Sequence, residues 1–358
     1  MSISLSRRKL LSGAIVAAVS APAVVSGQER RRWRCVTSWP RNLIGPGVSA
    51  ARLVHRINVM SQGELTITLF AAGELVPALQ VLDAVSHGSV EMGHTAALFW
   101  QGKMPAAPLF TTAPFGLTPS AHAGWIDHEG DALWEELYAP FKVKAMLAGN
   151  TGPSTGGWFR KPLAGLSDLS GLRMRVTGLG GEVLKRMGVT PVVIAPGETY
   201  QALERGLIDA AEFLAPANDQ SLGLHKVAPY LAVPGFNKPN GASELIIGAD
   251  LWRSLPEHLK LIIRTASRAE HDEGLAEADH GNAAVLRQMV AEGAKPMALP
   301  TDILERAAQA SVEVLNGIAM RDALSSRIVA SYRSALQASG PWVQMQGQQR
   351  LATARERL

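Results

Sequence analysis

The 358-residue sequence is short of several things, and each shortage removes a class of protein. Its one cysteine, Cys35, cannot close an internal bridge, so no disulfide framework holds the chain. Charged residues make up only 18% against 47% hydrophobic, which is too apolar for a disordered chain and enough for about two domains with proper cores. No apolar run after residue 30 reaches the roughly 18 residues that a membrane helix needs. Acids are missing altogether from residues 1–27, where Arg7, Arg8 and Lys9 supply most of the formal charge of +4. Aromatics stand at 6%, and no basic stripe interleaved with them follows the early cluster Arg30, Arg31, Arg32 and Arg34. Nucleic acid is therefore not an expected partner.

What is present begins with an address. Ser6-Arg7-Arg8-Lys9-Leu10-Leu11, a weakly apolar stretch over 14–25 and the small pair Ser26-Gly27 have the three-part layout of an export signal with a twin-arginine start. Residues 1–27 are read as that signal and the periplasm as the destination. A free N-terminal helix is the alternative, and Pro22 with Val24-Val25 suits a helix poorly. Cys35 lacks the small apolar residues that precede a lipidated cysteine. Alternating with Trp33 beside Val36, it reads as a buried strand residue.

Strand-forming and helical segments then alternate, which predicts parallel α/β sheets. One unit recurs: residues 82–92 and 200–210 both run helix, glycine stop, two residues, acid and small apolar positions. The recurrence predicts two similar α/β lobes, with chance likeness of helix ends as the alternative. Turn-rich stretches at 149–159 and 234–241 read as crossings between lobes, so the first lobe takes residues 33–150 plus 243–295 and the second 151–242. From Pro256 to about Glu292 the pattern is helical almost without interruption, a length that braces both lobes or a second subunit. Helices over 296–340 finish the fold, and a Gln- and Arg-rich tail follows Pro341.

Chemical motifs are few. Gly178-Leu179-Gly180-Gly181 follows a strand and opens a helix, but Val183 occupies the third glycine position of a dinucleotide fingerprint and no P-loop lysine follows. Arg175 lies near the carboxyl end of that strand, where it can clamp a carboxylate with two parallel hydrogen bonds or serve as a surface ion pair. Glu273, Glu277 and His280 share one helix face and could ligate a metal, or form a solvated face. His94 is expected as a hydrogen-bonded core histidine. With no nucleophile elbow, zinc-ligand cluster or Cys/His pair in the sequence, non-catalytic binding is favoured and no cofactor is expected.

A series of motifs now becomes specific. Val36-Thr37-Ser38-Trp39-Pro40, Met92-Gly93-His94-Thr95, Pro114-Phe115-Gly116-Leu117, Gly149-Asn150-Thr151-Gly152, Gly156-Gly157-Trp158-Phe159-Arg160-Lys161, Gly171-Leu172-Arg173-Met174-Arg175 and Lys226-Val227-Ala228-Pro229-Tyr230 occur in that order. Over residues 33–335 the chain resembles the DctP-type periplasmic solute receptors of TRAP transporters, in particular the branch that binds 2-oxo acids. The resemblance implies an α/β, two-lobed periplasmic binding protein of type II-like form, with a ligand cleft and long C-terminal helices. It also implies a ligand carboxylate on Arg175, a pocket drawn from Asn150, Ser154, Thr155, Phe99, Glu212, Phe213 and Lys238, delivery to membrane permease subunits, and a possible homodimer.

The chain departs from that branch at informative places. There, a cation beside the substrate carboxylate is held by a Gln before Met-Gly-Gly-Trp-Phe, by a Glu-Trp segment and by a Glu after Pro-Gly-Trp-Trp. Here those positions are Ser154, Glu212-Phe213 and Lys238. An ammonium repels a cation and two long oxygen ligands are gone, so the metal site appears lost. Either Lys238 takes the place of the metal, paired with Glu212, or its loop shifts and it points to water. Leu98-Phe99 before Trp100 replaces tyrosines and makes the pocket more apolar. The expectation is a receptor for a small organic monocarboxylate that performs no chemistry. The alternatives are an exported enzyme acting on a small organic acid, with Glu212 as its acid or base, and a structural periplasmic partner without a tight ligand.

Overall fold

The computed structural model describes residues 30–345, so the signal read over 1–27 and the end of the tail lie outside the described residues. The strands are β1 (Arg31–Thr37), β2 (Leu65–Phe70), β3 (Met92–Thr95), β4 (Val143–Asn150), β5 (Gly157–Phe159), β6 (Arg173–Arg175), β7 (Thr190–Val192), β8 (Ala210–Ala211), β9 (Tyr230–Val233), β10 (Ala242–Gly248) and β11 (Lys295–Ala298). They form two sheets, one ordered β2-β1-β3-β10-β4 and the other β11-β9-β5-β8-β6-β7.

Read from β2 and from β7, the two orders are the same. In each, three neighbouring strands run parallel and the fourth, β10 or β5, runs against both of its neighbours. The recurring unit of the sequence falls on matching places: helix Val81–Ser86 leads to β3, helix Thr199–Glu204 leads to β8, and both are the third strand of their sheets. Gly88 and Gly206 each take φ of 70°, the left-handed conformation that a glycine adopts without steric penalty. Two like lobes follow, and chance likeness is not needed to explain the repeat.

The expectation of wholly parallel sheets needs correction at β5 and β10. Each is the strand that enters its sheet directly from the other lobe. The chain arrives where the parallel strands end, so it can only run backwards from there, as the pairing of Ala242 with Asn150 illustrates. A second difference is β11, an edge strand of the second sheet that lies between the long helix and the final helices. Its short, Pro-containing segment Lys295-Pro296-Met297-Ala298 carries little strand signal, and an edge position is where a strand proline is tolerated.

The helix Glu257–Ala291 is about 50 Å long and is the third connection between lobes. Leu259, Ile263 and Ala266 belong to the core under the first sheet, and Met289 belongs to a core with Leu231 and Trp158 of the second. Arg52 and Arg56, on helix Pro46–Met60, hold Glu270, Glu273 and Glu277 of this long helix in ion pairs. The metal reading of Glu273, Glu277 and His280 therefore fails: two of its carboxylates already have guanidinium partners, and no group of three potential ligands occurs among the described residues. Helix Thr301–Ala319 packs on Leu179–Arg186 of the second lobe, and Ala323–Met345 packs on Pro119–Trp125 of the first. This pair braces both lobes from the side, with Leu117 N donating to Tyr332 Oη at 3.0 Å. The final helix continues through Pro341 to Met345.

Candidate functional site

The carboxyl ends of the parallel strands in both sheets face one cleft, the place where open α/β sheets bind ligands. A cavity of about 30 Å³ lies there, walled by Trp39, Leu98, Phe99 and Thr111 from one lobe and by Arg175, Thr177, Phe213 and Lys238 from the other. Leu98, Phe99 and Thr177 also line a wider groove of about 620 Å³, so the small chamber lies beside an open mouth.

Arg175 is the last residue of β6 and is 1% exposed. Its guanidinium donates through Nη1 to the carbonyl of Glu212 at 2.5 Å and through Nε to Ile194 O at 3.2 Å, and it lies 5.3 Å from the centre of the Phe213 ring. No described carboxylate makes an ion pair with it. Burial pushes its pKa down, while the charges of Glu212 and Asp219 act in the opposite sense. A buried guanidinium held by carbonyls and an aromatic face is positioned without a carboxylate in direct contact among the described residues. Of the two readings of Arg175, the surface ion pair is excluded by this burial.

Lys238 is 3% exposed, which rules out the reading in which it points to water. Its Nζ donates to Phe213 O at 2.5 Å and lies 2.8 Å from Oε1 of Glu212, itself wholly buried. Burial pushes the ammonium pKa down, Arg175 adds to that, and Glu212 and Asp219 pull it back up. Asp219 is also buried. It accepts from Trp158 Nε1 at 2.8 Å and Leu214 N at 3.0 Å, and burial raises its pKa to about 7.

The remaining expected residues divide. Phe99 and Phe213 line the cavity. Ser154, Thr155 and Glu212 do not line the cavity but lie buried behind it: the two hydroxyls find no protein partner, and Ser154 N donates to Lys238 O at 2.8 Å. Asn150 does not line the cavity. Its amide is used at the crossings: Nδ2 donates to Asn240 Oδ1 at 2.8 Å and Oδ1 accepts from Gly152 N at 2.8 Å. Reading the sequence missed Trp39, Thr111, Thr177 and Ser243 of the lining. Trp39 and Thr177 each sit two residues past the end of a parallel strand, a positional signal that was available once the strands were placed.

His94 is a core residue, as expected. Trp39 Nε1 donates to its Nδ1 at 2.8 Å, its Nε2 donates to Ala148 O at 2.6 Å, and burial lowers its pKa to about 4, so the ring is neutral. Cys35 is fully buried in β1, and its thiol is pushed up to about 12.

Two lobes of like topology, closed over a small cavity lined by a buried guanidinium, have the form of a solute-binding protein. Comparison with known proteins agrees: residues 46–322 match the DctP model, described as bacterial extracellular solute-binding protein, family 7. The chain belongs to this family of TRAP transporter solute receptors. It is 37% identical over 339 residues to a monocarboxylate 2-oxoacid-binding periplasmic protein of Nostoc sp., covering 92% of this chain and 93% of that one. A TRAP solute-binding protein of Bordetella bronchiseptica, a dimer with copurified calcium and picolinate in one site, superposes with a TM-score of 0.87 at 34% identity, covering 91% of this chain and 99% of that one. One of Pseudoalteromonas atlantica with bound sodium and pyruvate gives 0.86 at 32% identity, covering 90% and 99%.

Proposed function

We propose that this protein is the periplasmic receptor of a TRAP transporter for a small organic monocarboxylate, a 2-oxo acid or a close relative. It closes around the acid, holds the carboxylate on Arg175 and delivers it unchanged to the membrane permease. The observation that carries the reading is the buried guanidinium of Arg175, whose charge no described carboxylate neutralises. The similarity to the Nostoc and Pseudoalteromonas proteins supports the acid class. Glu212, the acid that the enzyme reading named, is held in an ion pair with Lys238. Closure turns on the crossings at 149–157 and 234–242, and the ligand stabilises the closed population. Export by the twin-arginine route and pairing into a homodimer complete the reading. The dimeric Bordetella relative supports the second of these.

The solved relatives hold calcium or sodium, so the donors here were tested for a cation. They do not fit: the ammonium of Lys238 lies 2.8 Å from Glu212, Ser154 offers one hydroxyl, and hard cations need six or more oxygens in the case of calcium. No step in this proposal uses a metal.

A melting-temperature screen of 2-oxo acids, 2-hydroxy acids and dicarboxylates tests the function. At about a hundredfold excess over Kd a ligand adds about 2.7 kcal/mol of stability, a readily measured shift. Arg175→Lys keeps the charge and loses the fork, and it is expected to weaken the acid by about tenfold or more. If no carboxylate raises the melting temperature of the native protein, the reading is wrong.

A further inference from the structure

We infer that this receptor carries its own counter-cation: the ammonium of Lys238, fixed between Glu212 and the Phe213 carbonyl, meets a monoanionic acid opposite Arg175, so that binding needs no sodium or calcium. The inference rests on the acid-receptor reading above and deepens it by naming the protein group that meets the ligand's charge in place of a metal.

Three observations bring it about. Lys238 and Arg175 line the same small cavity, and both are nearly devoid of solvent contact. A lysine buried to this degree and free to leave would turn its head to water, but this one is anchored by two acceptors at 2.5 and 2.8 Å. Finally, the crossing beside Lys238 leaves hydrogen-bonding capacity unused: the buried hydroxyls of Ser154 and Thr155 have no protein partner, while Ser154 N donates to Lys238 O. Ser154 and Thr155 lie on one crossing and Lys238 on the other, where a buried polar atom without a partner costs stability unless a bound molecule satisfies it.

The charge balance then selects the ligand. Arg175 and Lys238 contribute two positive charges and Glu212 one negative. Asp219, with its pKa raised to about 7, is half-ionised at that pH and mostly neutral only below it, and a bound anion favours its protonated form. A monoanion closes the balance. A dicarboxylate would leave a buried negative charge with no partner, in a chamber whose other walls are Trp39, Leu98, Phe99 and Phe213.

The test is titration of the stripped full-length protein with pyruvate and 2-oxobutyrate, and with succinate as the dianion. Each is run in a sodium-free buffer with chelator, in sodium chloride and in millimolar calcium. The expected result is a monocarboxylate Kd that changes by less than about threefold among the three media, with succinate at least about tenfold weaker. Metal analysis of the purified protein is expected to find no stoichiometric calcium. The double variant Lys238→Met with Glu212→Gln preserves charge balance within the pair. Once its melt shows a folded protein, it is expected to lose affinity by at least about thirtyfold. Binding only with sodium or calcium would overturn the inference while leaving the receptor reading intact. Succinate binding as tightly as pyruvate, or a folded double variant with native affinity, would also overturn it. Failure of every acid in every medium would remove the receptor reading and this inference together.

Discussion

Asn150 and Asn240 join the two strand crossings of the receptor with a single side-chain hydrogen bond, Nδ2 to Oδ1 at 2.8 Å. Asn150 closes β4 and Asn240 precedes β10, so the bond ties the outgoing and returning chain where each leaves a lobe. Asn240 donates in turn to Thr111 O at 2.9 Å, and His271 of the long helix donates to Gly149 O at 3.1 Å. All five residues are buried.

Cutting that tie has a measurable cost. Asn240→Ala leaves the Thr111 carbonyl without its partner and the Asn150 amide with only the longer contact to His271 Nε2 at 3.3 Å, a loss of about 1–3 kcal/mol in unfolding free energy. Urea denaturation checks it, and a change below about 0.5 kcal/mol would mean that the crossings are held by backbone contacts alone.

The long helix contains two glycines with opposite expected responses. Gly281 has open space around its missing side chain, so Gly281→Ala should stabilise by about 0.5–1 kcal/mol through helix propensity. At Gly274 a Cβ would come within 2.8 Å of Asn150 O, which belongs to a fixed crossing. Gly274→Ala should therefore destabilise. Thermal melts of the two variants, compared with the parent, read the sign directly; equal shifts would contradict the close packing of helix on crossing.

Affinity should depend on pH through Asp219. Its carboxyl has a raised pKa of about 7 and acts electrostatically on both Arg175 and Lys238. An incoming anion favours the protonated form, so binding takes up protons, and affinity falls as pH rises through about 7. The folded protein retains that proton above the usual carboxylate range, so the same group lowers stability as pH climbs from about 4 to 7. Asp219→Asn should flatten the affinity profile between about pH 6 and pH 8 while leaving measurable binding; an unchanged slope would assign the proton to another group.

Much of the fold could be read from residue patterns because it is local in origin. The glycine stops at Gly88 and Gly206, the alternation of helix and strand formers and the unbroken helical pattern after Pro256 are all written in short windows. Strand direction is not local. The reversal of β5 and β10 depends on which side of a sheet the chain enters, and β11 exists because Lys295–Ala298 lies beside β9 in space. The site divides similarly. Arg175 was legible from its place at a strand end, and the burial of Lys238 became legible only when the two crossings came together. Asn150 stands in a motif of the cleft, yet its amide serves the crossings. Nothing in the sequence distinguishes a side chain that lines a cavity from one that ties its frame.

The matching strand orders of the two sheets have a consequence for how the pocket can change. Because β3 and β8 are equivalent strands, Leu98 and Phe99 on one side and Phe213 and Leu214 on the other are contributed from corresponding points of the two halves. One half supplies mainly wall, and the other supplies charge. On the proposed reading, substitutions after β3 would alter the size and shape of the acid accepted while the grip on its charge after β6 and β8 stayed as it is. Selectivity and affinity would then be set by different halves of one repeated plan.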